Sequence, residues 1–208
     1  MALICGIDEA GRGPVIGPMV VAGVVVDEED LSKLEKIGVK DSKLLPAKKR
    51  EELYDKIIEI VSGYELLLVP PSIIDQYVLS ANENDNLNWL EATRAADAIN
   101  KLNPDKVIVD CPSPNITAFT KFLRERVNNK KIHIVCEHKA DFNHVVCAAA
   151  SILAKVMRDN QINQLKNEIG IDFGSGYPSD PKTADFLENY WDKYDVFRKS
   201  WSSWKKVE

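Results

Sequence analysis

The chain has 208 residues, 45% hydrophobic and 28% charged, with a formal net charge of −5. That length fits one domain, or one domain with a small appendage, and a core large enough to need no disulfide or metal staples. Its longest apolar runs, such as Met19 to Val26, fall far short of a membrane span, and the start reads straight into Leu3-Ile4-Cys5-Gly6-Ile7 without a basic region or cleavage site, so cytoplasmic residence is the expectation.

Leu3 to Asp8 reads as a first strand. Gly17-Pro18 turns the chain into Met19 to Val26, a strongly β-branched second strand that the short link places in an antiparallel hairpin. Pro46 suits the first turn of a helix running to about Val61, with Leu53, Ile57, Ile60 and Val61 as its apolar stripe. Tyr64 to Val69 is a third strand, closed by Pro70-Pro71. From there helix and strand alternate: a helix over Asp85 to Leu102, a strand over Lys106 to Val109 ending on Asp110, a helix over Ile116 to Val127, a fifth strand over Ile132 to Cys136, and a helix over Val145 to Leu165 whose Ala-rich start permits close packing. Everything after Gly170 reads as loop and short helix. Strands in hairpins followed by strands alternating with helices predict an α/β fold, a mixed sheet of about five strands flanked by helices. A catalytic domain over residues 1–170 and a helical extension over 171–208 are the expected division.

The stretch Ile7-Asp8-Glu9-Ala10-Gly11-Arg12-Gly13-Pro14 carries the most chemistry. Acids are poor strand formers and costly to desolvate, so two of them at the end of an apolar run suggest a site. Strand neighbours point to opposite faces, so Asp8 and Glu9 share a site only if the strand ends or bends there, and Ala10-Gly11-Arg12-Gly13-Pro14 is expected to supply the bend. Asp110 ends a second apolar strand, where ligands of open α/β sheets gather, although taken alone it reads better as a structural Asp capping a turn before Pro112. Asp141, between the fifth strand and the Ala-rich helix, reads as a third site acid or as a helix N-cap.

Four carboxylates from three strand ends would repel by roughly 4 kcal/mol per close pair at an effective dielectric near 20. Such a cluster calls for cations, and oxygen-only ligands suit Mg²⁺ or Mn²⁺; two such ions can clamp an in-line phosphoryl displacement. The Gly11-x-Gly13 spacing misses the dinucleotide fingerprint, and a strand rather than a helix follows. Cys5, Cys111, Cys136 and Cys147 are scattered among apolar neighbours and read as buried free thiols.

The negative total argues weakly against a nucleic-acid partner, yet the basic residues are clustered: Lys40 to Arg50, Lys121 to Lys131, Lys155 with Arg158, and Arg198 to Lys206. Ser151, Lys155 and Arg158 fall on one helix face, as a phosphate track or a plain solvated surface. Gly174-Ser175-Gly176-Tyr177-Pro178 sets an aromatic in a flexible loop, placed to stack on a sugar or base or simply to anchor the loop.

The run Gly6 to Pro14 with Gly17-Pro18 resembles the opening signature of type 2 ribonuclease H. The resemblance continues in Lys40-Asp41-Ser42-Lys43, in Val109-Asp110, in His138-Lys139-Ala140-Asp141 and in Ala149 to Val156. Gly174 to Pro181 is similar to the archaeal and eukaryotic branch, and Arg198-Lys199-Ser200-Trp201 to the archaeal ending. It implies a ribonuclease H-like fold with a C-terminal helical extension, acting as a self-sufficient monomer. It implies endonucleolytic cleavage of RNA paired with DNA, and of a single ribonucleotide in duplex DNA, on its 5′ side, leaving 3′-hydroxyl and 5′-phosphate ends. The family's metal acids fall on Asp8, Glu9, Asp110 and Asp141. Gly11, Arg12 and Gly13 match the turn that senses the ribose 2′-hydroxyl, Tyr177 the tyrosine that packs on a sugar, and Lys43, Ser151 and Lys155 positions near the phosphate path. Ser202-Ser203-Trp204 departs from the family's usual Lys-Thr run, and the tail shows no clear sliding-clamp motif.

Overall fold

A computed structural model describes residues 2–39, 45–82 and 85–208. Lys43 therefore lies outside the described residues. Five strands, β1 (Leu3–Ala10), β2 (Met19–Asp27), β3 (Gly63–Val69), β4 (Lys106–Asp110) and β5 (His133–Glu137), form one sheet in the order β3-β2-β1-β4-β5. β1 pairs antiparallel with β2 and β2 with β3, while β4 runs parallel to both β1 and β5. The sheet is mixed, as the sequence predicts, and β1 lies at its centre.

Helices cover both faces. One carries α7 (Val145–Ile169) with α1 (Leu31–Lys36) and α2 (Ala47–Ile60); the other carries α3 (Pro71–Val78), α4 (Leu87–Leu102) and α5 (Ile116–Arg126). A sheet covered on both sides explains why β2 is an unbroken apolar run, with Met19 to Val26 all buried. Alternate residues of β1 split between the two cores: Ile4 and Ala10 face α7, Cys5 and Ile7 face α4. Cys5, Cys111 and Cys147 are buried free thiols and Cys136 is partly buried; burial pushes the Cys5 thiol up to about 12.

Most boundaries move by a residue or two from the sequence reading, and four differences have a plain physical cause. β1 runs on through Glu9 to Ala10, because both acids stay paired with β2, Asp8 opposite Ala22 and Glu9 opposite Val21. Pro70-Pro71 closes β3 and also opens α3, with Pro71 at the helix start where its missing N–H costs nothing. α4 begins at Leu87 because the Asn86 side chain caps the Trp89 amide. α7 continues to Ile169 and stops at left-handed Gly170.

The tail shares a third apolar cluster with the rest of the chain. α8 (Pro181–Tyr190) and the turns after it gather Phe173, Phe186, Leu187, Phe197 and Trp204 around Val15, Ile16 and Ile162. Stacking within it is aromatic, with Phe186 at 5.0 Å from Tyr190 and 5.6 Å from Phe197, ring centre to ring centre.

The approach of α7 to β1 is the tightest feature of the sandwich. A Cβ at Gly6 would collide with the Val146 carbonyl and sit 2.6 Å from the Cys147 nitrogen. Ala148, Ala149 and Ala150 continue the same close contact. Gly6→Ala is expected to cost at least about 1–3 kcal/mol by forcing helix and strand apart. Urea unfolding reads this directly, and an unchanged midpoint would contradict the packing.

Candidate active site

Three carboxylates meet at one end of the sheet. Asp8 comes from the central strand, Asp110 from the last residue of β4 and Asp141 from α6 (Ala140–Asn143), a short helix between β5 and α7. Their side-chain oxygens lie within 4.8 Å of one another. Asp8 and Asp141 are buried, 4% and 7% exposed, while Asp110 is partly exposed.

Asp141 is not the N-cap of its helix: Lys139 takes that place, in a left-handed conformation. The amide at the start of α6 is satisfied from another strand instead, Ala140 N donating to Asp110 Oδ1 at 3.1 Å. This bond ties the position of α6, and so of Asp141, to β4.

Asp8 is oriented from two sides. The Glu9 amide donates to its Oδ1 at 2.7 Å, and the Ser151 hydroxyl donates to its carboxylate. Ser151 in turn accepts from Lys155 Nζ at 2.8 Å, so a relay runs from Lys155 through Ser151 to Asp8. The face of α7 that carries Ser151 and Arg158 is therefore not a solvated surface. Both residues are buried, at 1% and 6% exposure, because that face turns into the acid end of the sheet.

Glu9 sits differently. It lies on the α4 side of β1, outside the close group of three, where its strongest charged neighbour is Glu91. The expected bend comes only after Ala10, at Gly11, whose φ is +82° and whose substituent would sit 2.9 Å from Pro18 O. Burial raises the Glu9 carboxyl well above its usual range, and Glu91, Asp8 and Asp110 raise it further.

Beyond the acids lies a groove of about 420 Å³ lined by Glu9 to Gly13, Arg50, Lys155, Arg158, Asp159 and Tyr177. Arg12, Arg50, Lys155 and Arg158 set positive charge against Glu9 and Asp159 there. Tyr177 is 40% exposed and borders the turn, its ring 3.4 Å from where a Cβ on Gly13 would stand. Arg158 passes under the ring, 5.2 Å from its centre, and donates to Ser175 O at 2.6 Å. Tyr177 thus lines the groove beside the turn, and its ring is held there by Arg158.

Glu91 and Asn88 escape sequence reasoning, and Arg50 is read there only as one member of a basic cluster. Buried Glu91 forms an ion pair with Arg12, whose Nη2 also donates to Asn88 Oδ1 at 2.9 Å. Glu91 does leave a trace, an acid beside Leu87 and Leu90 on the apolar side of α4. Arg50 is held over the groove by Leu45 O and Asp159 at 2.7 and 3.0 Å, through a tertiary contact that no local pattern reveals.

The comparisons agree with this geometry. The family profile described as Ribonuclease HII matches residues 5–204. A ribonuclease HII of Pyrococcus furiosus is 46% identical over 99% of this chain and 91% of its own length. The chain belongs to the ribonuclease HII family. The crystal structure of the ribonuclease H2 from Pyrococcus horikoshii OT3 superposes with a TM-score of 0.90 at 40% identity, covering 99% of this chain and 97% of that one. The ribonuclease HII of Archaeoglobus fulgidus, solved as a complex with PCNA, gives a TM-score of 0.85 at 38% identity, over 99% and 95%. The fold is thus that of ribonuclease HII, and the activity is the family's: metal-dependent endonucleolytic action on RNA/DNA hybrids.

The donor set fits a divalent cation. Three oxygen-only ligands converge within 4.8 Å of one another, the hard donor type that such a cation takes. Burial, then the charges of Asp110 and Asp141, push the Asp8 carboxyl up from 3.8 to about 7 against the bond from Ser151. An unfolded chain releases this proton near 3.8 and the folded chain near 7, so between those values the folded state holds more protons. Without metal, stability is expected to fall as pH rises from about 4 to 7 and then level off. Mg²⁺ or Mn²⁺, which binds the ionised group, is expected to raise the melting temperature more at pH 8 than at pH 5. Melting curves in chelator and in metal check both, and Asp8→Asn is expected to flatten the first slope.

Proposed function

We propose that the site cleaves the RNA strand of RNA/DNA hybrids and also nicks duplex DNA at a single embedded ribonucleotide. The cut falls on the 5′ side of the ribonucleotide and leaves 3′-hydroxyl and 5′-phosphate ends. The observation that carries this reading is the adjacency of three clustered carboxylates to a groove bounded by the Gly11-Arg12-Gly13 turn and Tyr177.

In this reading Asp8, Asp110 and Asp141 hold divalent cations, with Glu9 completing the set for a second ion from the α4 side of β1. Mg²⁺ or Mn²⁺ supplies, when bound, activation of water and charge stabilisation of the leaving 3′-oxygen. The protein's own residues do the rest. The relay from Lys155 through Ser151 holds the Asp8 carboxylate in one orientation, and the bond from Ala140 does the same for Asp110. Gly11 to Gly13 bring backbone close to the ribose, where the 2′-hydroxyl is the group that separates RNA from DNA. Tyr177 offers its exposed ring to a neighbouring sugar. Arg12, Arg50, Lys155 and Arg158 set the positive field along which the phosphates lie.

A non-catalytic duplex-binding module would keep the groove without needing the acids. One gel separates the readings: a duplex with one ribonucleotide against an all-DNA duplex, with and without Mg²⁺. Asp110→Asn is expected to abolish nicking while duplex binding survives, and full activity in that variant would sink the assignment. Tyr177→Ala is expected to slow cleavage at the lone ribonucleotide by roughly five- to a hundredfold, the range set by losing one stacking contact. An unchanged rate would count against the sugar-packing role.

A further inference from the structure

The sensor turn is held from behind by the end of the chain. Arg198 is fully buried, and its guanidinium donates to backbone oxygens instead of closing on a carboxylate: Nη2 to Gly11 O at 2.6 Å, Nη1 to Arg12 O at 2.9 Å and Nε to Gly17 O at 3.1 Å. The Trp201 indole nitrogen donates to Gly13 O at 3.0 Å. All three carbonyls of the Gly11–Gly13 turn are thus taken by two side chains about 190 residues away, which leaves the amides as the groups the turn offers a substrate.

The segment that delivers these side chains is itself fixed. Arg198 N donates to Val15 O at 2.8 Å and Gly17 N to Val196 O at 2.9 Å, so the tail and residues 15–17 form a short antiparallel bridge centred on Ile16 and Phe197. Asp75 of α3 accepts from Lys199 N at 2.8 Å, from Ser200 N at 2.9 Å and from Ser200 Oγ at 2.5 Å. Burying a guanidinium is expensive, and an apolar side chain would fill the same space at lower cost. Burial draws its pKa down to about 9, with Arg158 adding to the effect. What arginine adds in return is a rigid fork of donors at fixed spacing, matched here to successive carbonyls.

We propose that Arg198 and Trp201 are positioning residues for ribonucleotide recognition, setting the backbone conformation in which the Gly11–Gly13 turn meets the 2′-hydroxyl. The proposal rests on the reading of that turn given above. Affinity for duplex comes chiefly from phosphate contacts, and the Arg198 guanidinium is buried on backbone oxygens instead of being presented to solvent, so its loss falls on alignment of the reacting group and not on binding.

The test uses the full chain as Arg198→Met, Arg198→Lys and Trp201→Phe. Circular dichroism and thermal melts count the folded fraction. Steady-state cleavage at a single ribonucleotide gives kcat and KM, and gel shift gives affinity for an all-DNA duplex. Arg198→Met is expected to lower kcat per folded molecule by roughly ten- to a hundredfold, the effect of losing hydrogen bonds from a charged donor. KM and duplex affinity stay within about twofold, the mark of a lost transition-state interaction. Arg198→Lys recovers part of the rate. Trp201→Phe keeps the ring and loses only the N–H, so it decides the matter if Arg198→Met does not fold; a drop of about threefold to tenfold in kcat is expected. Unchanged kcat in the folded variants, or an equal loss in all-DNA binding, overturns the strap while leaving the reading of the turn in place. A wild-type protein that cuts hybrids and ignores a lone ribonucleotide overturns that reading, and this proposal with it.

Discussion

Burying Asp8 between Asp110 and Asp141 costs free energy twice, once for removing a carboxylate from water and once for setting like charges within 4.8 Å of one another. Much of the surrounding structure can be read as the apparatus that holds this arrangement together. The parallel pairing of β1 with β4 sets Asp8, two residues inside β1, beside Asp110 at the end of β4. The bond from Ala140 to Asp110 sets the third. Gly6 lets α7 come close enough for Ser151 to reach Asp8. A divalent cation relieves the repulsion that the fold creates, so metal affinity and apo-state strain have the same origin.

A second ionic system stands behind the first. On the α4 side, Arg12 reaches Glu91 and Asn88, and Arg198 closes on the carbonyls of the same turn. The burial that raises the Glu91 carboxyl to about 7 is opposed by the two arginines, so acid and bases hold one another in place. The side chain of Arg12 is thus tied to α4 at the edge of the groove, while its backbone belongs to the turn. This division explains how one short segment can be both rigid and open to a ligand.

The fold was largely legible because its signals are local. The β-branched run of β2, the apolar stripes of α2 and α5, and the Ala-rich start of α7 are each set by neighbours in sequence. α1 and α3 were not legible: they are short, and Pro70-Pro71 reads as a stop before it reads as a start. Asp8 and Asp110 stood out because acids closing apolar runs conflict with burial, and such conflicts between local preference and fold mark sites, while Asp141 offered only its place between a strand and an Ala-rich helix. Glu91 breaks an apolar stripe in the same way, but a single acid on a helix carries a weaker signal than one ending a strand.

The sequence by itself determined the five strands, the long helices, the mixed sheet and the acids set at the edges of apolar runs, since periodicity and the cost of burying charge act over a few residues. Tertiary structure alone decided how the pieces face one another. It kept Glu9 in the strand and on the far side from Asp8, because pairing with Val21 outweighs any tendency to bend. It turned the Ser151–Arg158 face inward, and it brought Arg198 and Trp201 back to Gly11–Gly13. Contacts between groups so far apart in the chain leave no periodic trace, because only the closed core brings them within hydrogen-bonding distance.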